Sequence, residues 1–111
     1  MKRVLLCAAL AAVAVSAVFA TNAAAHFLSI KSAATKSFYY SHRACRTDPA
    51  CDRYGVLTCD RQQPRVVICT IFTDRNTVAQ GRYRCTRDVR VAFRSAYSYK
   101  PTITGFSDWN C

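Results

Sequence analysis

The sequence predicts a small disulfide-rich domain of β or α+β class, built on an antiparallel sheet with a short N-terminal helix. Three observations lead there. Six cysteines, Cys45, Cys51, Cys59, Cys69, Cys85 and Cys111, lie downstream of an export-type leader. The stretch from Arg65 to Thr73 is rich in β-branched residues. Between Gly81 and Tyr99, apolar and arginine residues alternate with the period of a strand.

The leader comes first in the chain. Lys2 and Arg3 precede an apolar run from Val4 to Ala20, broken only by Ser16, and Ala23, Ala24 and Ala25 close it. A cationic start, an apolar stretch and a small-residue end describe a secretory signal peptide over residues 1–25, cut after Ala25. Val18 and Ala20 frame an earlier cut after Ala20. The competing reading is an uncleaved membrane anchor. Its run of 17 residues stands at the short end of what a spanning helix needs, and it is alanine-rich. Cys7 lies near the start of the run, which is the wrong place for a lipidated cysteine, and it leaves with the leader.

Residues 26–111 then form a single domain of 86 residues with no second long apolar segment. Loss of Lys2 and Arg3 lowers the basic count from 16 to 14, of which 11 are Arg. All six acidic residues remain and all are Asp, so the mature net charge is +8. Such a charge favours anionic partners without naming one.

A domain of this size buries too small a share of its surface to be robust on its core alone. An even number of cysteines in an exported chain therefore reads as three disulfides in a secreted or periplasmic protein. Zinc and redox chemistry fit poorly. The gaps between cysteines hold 5, 7, 9, 15 and 25 residues, so no C-x-x-C pair exists, and only His26 and His42 could add nitrogen ligands. Neither a metal nor a cofactor is expected. Six cysteines allow 15 connectivities, among which the sequence does not choose. Cys111 is the last residue, which suggests a tail tied back to the body, with Phe106 and Trp109 as its apolar surface.

The elements are taken in chain order. From His26 to His42, the spacing of Ile30, Ala33, Ala34, Ser37 and Phe38 favours an amphipathic helix, against a strand preference at Phe38, Tyr39 and Tyr40. Arg43 to Arg53, with Asp48-Pro49 and two cysteines, reads as a stapled loop. Tyr54 to Cys59 is a candidate strand, and Gln62, Gln63 and Pro64 mark a break before the next one. Arg65 to Thr73 has apolar residues on both faces and belongs in the middle of a sheet, with a turn predicted at Asp74 to Thr77. In the next segment Tyr83, Cys85, Val89, Val91 and Phe93 share one face, and Arg82, Arg84, Arg90 and Arg94 the other. Arg87 breaks the apolar face, so a bulge or turn is predicted near Arg87-Asp88. No internal repeat is convincing.

The arginine row is the main functional lead. Guanidinium groups along a strand can hold phosphate or carboxylate in two-pronged contacts. Tyr97 and Tyr99 lie just beyond and could stack on a ligand, although they share the apolar parity of the core. The expected ligand-binding set is thus Arg82, Arg84, Arg90, Arg94, Tyr97 and Tyr99. The competing reading is a solvated face whose charge is matched by Asp52, Asp60, Asp74 and Asp88, each adjoining an arginine in sequence. The expected function is an exported binding module with a basic face for an anionic partner, such as envelope polysaccharide, a lipid headgroup or an acidic surface; the partner is an anionic polymer, a lipid surface or a protein. Nucleic acid is one possible anion, weakly supported because none of the named DNA- or RNA-binding signatures occurs. One alternative is a small secreted hydrolase, best conceived as a nuclease with His42 as general base. Glu is absent, however, and no P-loop, nucleophile elbow or H-E-x-x-H occurs. A second alternative is a structural envelope protein without a discrete ligand. No catalytic residue is assigned.

Overall fold

The computed structural model describes residues 27–111. The predicted signal peptide and its cleavage sites, together with His26, lie outside the described residues. One helix, α1 (Ile30–Arg46), precedes four strands: β1 (Cys51–Gln63), β2 (Val66–Thr77), β3 (Gly81–Phe93) and β4 (Pro101–Phe106). The strands form a single antiparallel sheet in the order β1-β2-β3-β4, and α1 packs across one face of it.

The helix starts at Ser29, whose side chain accepts a hydrogen bond from the backbone N–H of Ser32 at 3.0 Å. Its buried stripe is Ala33, Ser37, Ser41 and Cys45, one residue per turn. These side chains are small, so the backbone can approach the sheet closely. The buried hydroxyls are satisfied within the helix: Ser37 donates to the carbonyl of Ala33 and Ser41 to that of Phe38. Arg43 and Arg46 occupy the last turn, where cations complement the helix dipole. The helix therefore runs on through Arg43 to Arg46, part of the segment read as a stapled loop. Only Thr47 to Ala50 separate it from β1.

The core lies between helix and sheet. Leu28, Ala33, Val67, Cys69, Ile71, Val89 and Val91 are fully buried and form one cluster. Leu28 is held just before the helix by the β1–β2 turn. Its N–H donates to the carbonyl of Pro64 at 3.0 Å, and its own carbonyl accepts from Arg61 Nη2 at 2.7 Å. The expected parity of β3 is observed: Cys85, Val89 and Val91 point into the core, while Arg82, Arg84 and Arg90 are exposed. β2 is central, as its apolar character on both faces predicts.

Several boundaries differ from the sequence reading. β1 is longer at both ends than the predicted Tyr54 to Cys59, taking in Cys51 to Arg53 of the expected loop and Gln62-Gln63 of the expected break, because it stays paired with β2 along that length. β2 continues through Asp74 to Thr77, and the turn falls on Val78 to Gln80, ahead of Gly81, which has φ +67°. Asp74 can sit in a strand because Arg84 on β3 neutralises it. β3 is unbroken at Arg87-Asp88, pairing residue for residue with β2. Arg87 occupies a core-facing position because its guanidinium lies between Phe106 (4.4 Å) and Trp109 (4.8 Å) and donates to the Tyr40 hydroxyl at 2.9 Å. Finally, β3 ends at Phe93. Residues 94–100 form a loop, and the tail contributes β4, a strand the sequence did not announce.

Each cysteine pairs with the next in order: Cys45–Cys51, Cys59–Cys69 and Cys85–Cys111. The first staples the end of α1 to the start of β1. The second joins residues directly opposite on β1 and β2. The third ties the tail to β3, where Thr86 and Asn110 exchange backbone hydrogen bonds of 2.8 Å. Three disulfides place the folded chain in an oxidising environment. Among the described residues, no helix is long and apolar enough to cross a membrane.

Candidate anion-binding surfaces

The face of the sheet turned away from the helix carries the predicted arginine row. Arg82, Arg84 and Arg90 stand on the same side of β3. Two of them are already engaged. Arg82 Nη2 lies 2.6 Å from Asp52 Oδ2, a carboxylate on β1. Arg84 grips Asp74 with two prongs, Nε to Oδ1 at 2.7 Å and Nη2 to Oδ2 at 3.0 Å. It also lies over the Phe72 ring at 4.0 Å. That ring fits there because Gly55 opposite it has no side chain; a Cβ at Gly55 would come within 2.9 Å of the ring. Arg90 donates to Thr104 Oγ1 at 2.7 Å.

The other expected ligand residues are not on the strand. Arg94, Tyr97 and Tyr99 belong to the loop after β3 and are exposed. Tyr97 stands almost fully in solvent, and Tyr99 meets Phe93 edge-on at 6.2 Å. Thus Arg82, Arg84 and Arg90 are brought together, with most of their charge locally matched, and Arg94, Tyr97 and Tyr99 form a separate group.

Asp74 is only 5% exposed, so its charge depends on its partner. Hydrogen bonding from Arg84, reinforced by the charges of Arg84, Arg53 and Arg82, holds its carboxyl below the ordinary value of 3.8 against the opposing effect of burial. A carboxylate with a depressed folded-state value stabilises the fold fully above its unfolded value. The contribution is lost as pH falls from about 3.8 through the lower folded value. Asp74→Asn should therefore lower stability at pH 7 and flatten the acid limb of a pH–stability curve below pH 4. An unchanged acid limb in urea titrations would show that Arg84 does not hold this charge.

A second ion pair closes the C-terminal end of the helix. Arg75 Nε lies 2.6 Å from Asp48 Oδ2, and Arg75 Nη2 donates to Asp48 Oδ1 at 3.4 Å. Arg75 also donates to the Tyr83 hydroxyl. Hydrogen bonding from Arg75, helped by the Ala50 backbone N–H and the charge of Arg75, holds the Asp48 carboxyl below its ordinary value against the opposing effect of burial. These groups border a hollow of about 330 Å³ with Thr73, Trp109 and the Cys85–Cys111 bond.

Other cations gather between α1 and β4. Lys31 and Lys36 of the helix face Lys100, just before β4, across a hollow of about 510 Å³ that also includes Thr35 and Tyr39. A further hollow of about 290 Å³ continues past Lys36 and Tyr39 to Arg43, Ile103 and Phe106. No carboxylate lines either one. Among the described residues, Lys31, Lys36, Arg43 and Lys100 make no ion pair. The sequence reading missed this cluster because it tracked the arginines. Its available clue was a 17-residue helix with four Lys or Arg and no acid.

His42, the base of the hydrolase alternative, is half-buried with its ring 4.9 Å from that of Tyr54. Among the described residues, no group of three His, Cys, Asp or Glu is placed to hold a metal ion. The chain matches no family model, no curated protein and no solved structure.

Proposed function

We propose that the protein is a secreted or periplasmic binding module that presents a basic surface to an anionic partner. One observation carries this reading. Three of the six aspartates are committed to Arg75, Arg82 and Arg84, while the side between α1 and β4 keeps Lys31, Lys36, Arg43 and Lys100 without a carboxylate. Other arginines among the described residues also make no ion pair, but these four gather around two neighbouring hollows that no carboxylate lines. The three disulfides support an extracytoplasmic setting, and the signal-type leader agrees with it. Arg90, Arg94, Tyr97 and Tyr99 of the sequence-derived set are secondary candidates for contact with the same partner.

The test is retention of the mature protein on immobilised polyanions over a salt series. Screening acts over about 8 Å at physiological ionic strength, so binding should be strong at low salt and lost well before about 1 M. Absence of retention at low salt would remove the reading. Purified protein incubated with RNA and DNA should leave both intact; cleavage that disappears in folded His42→Ala would favour the hydrolase alternative instead.

A further inference from the structure

Resting on the anionic-partner reading, we infer that the groove between α1 and β4 is the binding site, and that its occupant is an extended acidic polysaccharide. Lys31, Lys36 and Lys100 are all the lysines of the described chain, and they converge on one hollow from two separate segments. Lysine is a mobile point charge on a long stem. It reaches carboxylates or sulfates at irregular spacing better than a rigid guanidinium fork does.

The geometry selects a chain. The cations run along the helix from Lys31 to Arg43, which at 1.5 Å per residue is roughly 18 Å. The two hollows share Lys36 and Tyr39 in their linings, so they are neighbours along the helix. They are concave, walled by the helix on one side and by Pro101, Ile103 and Phe106 of β4 on the other. The three lysines are exposed, so the preference for a chain over a bilayer rests on the linear run of cations beside the strand wall.

The aromatic groups separate sugars from bases. Single-stranded nucleic acids are held by successive bases stacking on successive rings. Two exposed rings line the groove: Tyr39, 61% exposed and shared by both hollows, and Phe106, 60% exposed, in the second. Tyr40 is turned to Arg87 and lies against Phe106, and the Arg87 guanidinium covers one face of Phe106, so Tyr39 alone is clear of a cation or a neighbouring groove ring. A single flat ring flanked by hydroxyls and ammonium groups suits the C–H face of one pyranose with acidic substituents on either side. Ser32 and Thr35 supply hydroxyl oxygens at the rim.

The test compares four probes on the mature, oxidised protein by calorimetry: a heparin-derived oligosaccharide, a polyuronate oligosaccharide, a poly-dT oligonucleotide and phosphatidylglycerol-containing vesicles. Wild type should bind at least one glycan more tightly than the oligonucleotide or the vesicles. Lys31→Ser/Lys36→Ser/Lys100→Ser should weaken that binding about tenfold or more. Tyr39→Leu, which keeps apolar bulk and loses the flat face, should weaken glycan binding at unchanged salt dependence. Arg46→Ser/Arg53→Ser, at exposed positions outside the lining of both hollows, should stay within about twofold. All variants alter exposed residues, and unchanged circular dichroism checks the fold. If the lysine variant binds glycan like wild type, or the arginine variant loses as much, the groove is not the site and the anionic-partner reading survives elsewhere. If wild type prefers the oligonucleotide or the vesicles, the polysaccharide is wrong. If wild type binds none of the four, both readings fall.

Discussion

Replacing Cys85 and Cys111 together by alanine should lower stability by about 3–4 kcal/mol, more than removing either other disulfide. The three bonds span 6, 10 and 26 residues. Constraint of the unfolded chain grows with loop length. It gives about 2.2, 2.7 and 3.5 kcal/mol in that order. The folded state adds to the difference. Cys45–Cys51 closes a short connection, and Cys59–Cys69 lies within a hairpin that its own strand pairing already holds. Cys85–Cys111 holds the chain terminus. Through it Asn110 pairs with Thr86, and Trp109 stays against the Arg87 guanidinium. Trp109 is the sole tryptophan, so its fluorescence reports directly on the docking of the tail. Urea titrations of the Cys85→Ala/Cys111→Ala and Cys45→Ala/Cys51→Ala variants should differ by about 1 kcal/mol. Equal losses would mean that the tail stays docked without its crosslink.

The same tail explains where the sequence was readable and where it was not. Alternation from Val89 to Phe93 exposed both faces of β3, because period-two burial is a local property of a strand. Arg87 was unreadable because the rings that shelter it, Phe106 and Trp109, arrive from the far end of the chain. The predicted turn at Asp74 failed for a related reason. An aspartate suggests a turn when considered alone, but one matched across the strand by Arg84 behaves as a sheet residue. β4 went unseen because its six residues include Pro101 and Gly105 and lack a long β-branched run. The lysine groove depends on topology still more. Lys100 meets Lys31 and Lys36 only because the sheet returns its fourth strand to the flank of the helix. Composition indicated excess positive charge; the fold determines which cations lack a carboxylate.

Ile71→Ala should cost about 3–4 kcal/mol, whereas Ile68→Ala on the same strand should cost about 1 kcal/mol. Ile71 is completely buried in the cluster under the helix, and Ile68 is only partly buried on the opposite face. The larger loss reflects the way α1 sits. Its contact stripe is Ala33, Ser37 and Ser41, so the sheet supplies most of the side-chain volume in the core. The helix is already close to the sheet and has no long side chain on that stripe to swing into a void. The cavity left by Ile71→Ala should therefore persist, and persistent cavities place large-to-small changes toward the costly end of their range. The helix also carries Lys31, Lys36 and Tyr39. In Ile71→Ala, glycan affinity should consequently track the folded fraction, because the residues that form the groove are untouched. Denaturant titrations of both variants measure the two costs. Similar losses at Ile71 and Ile68 would mean that the open face contributes as much to the core as the helix side does.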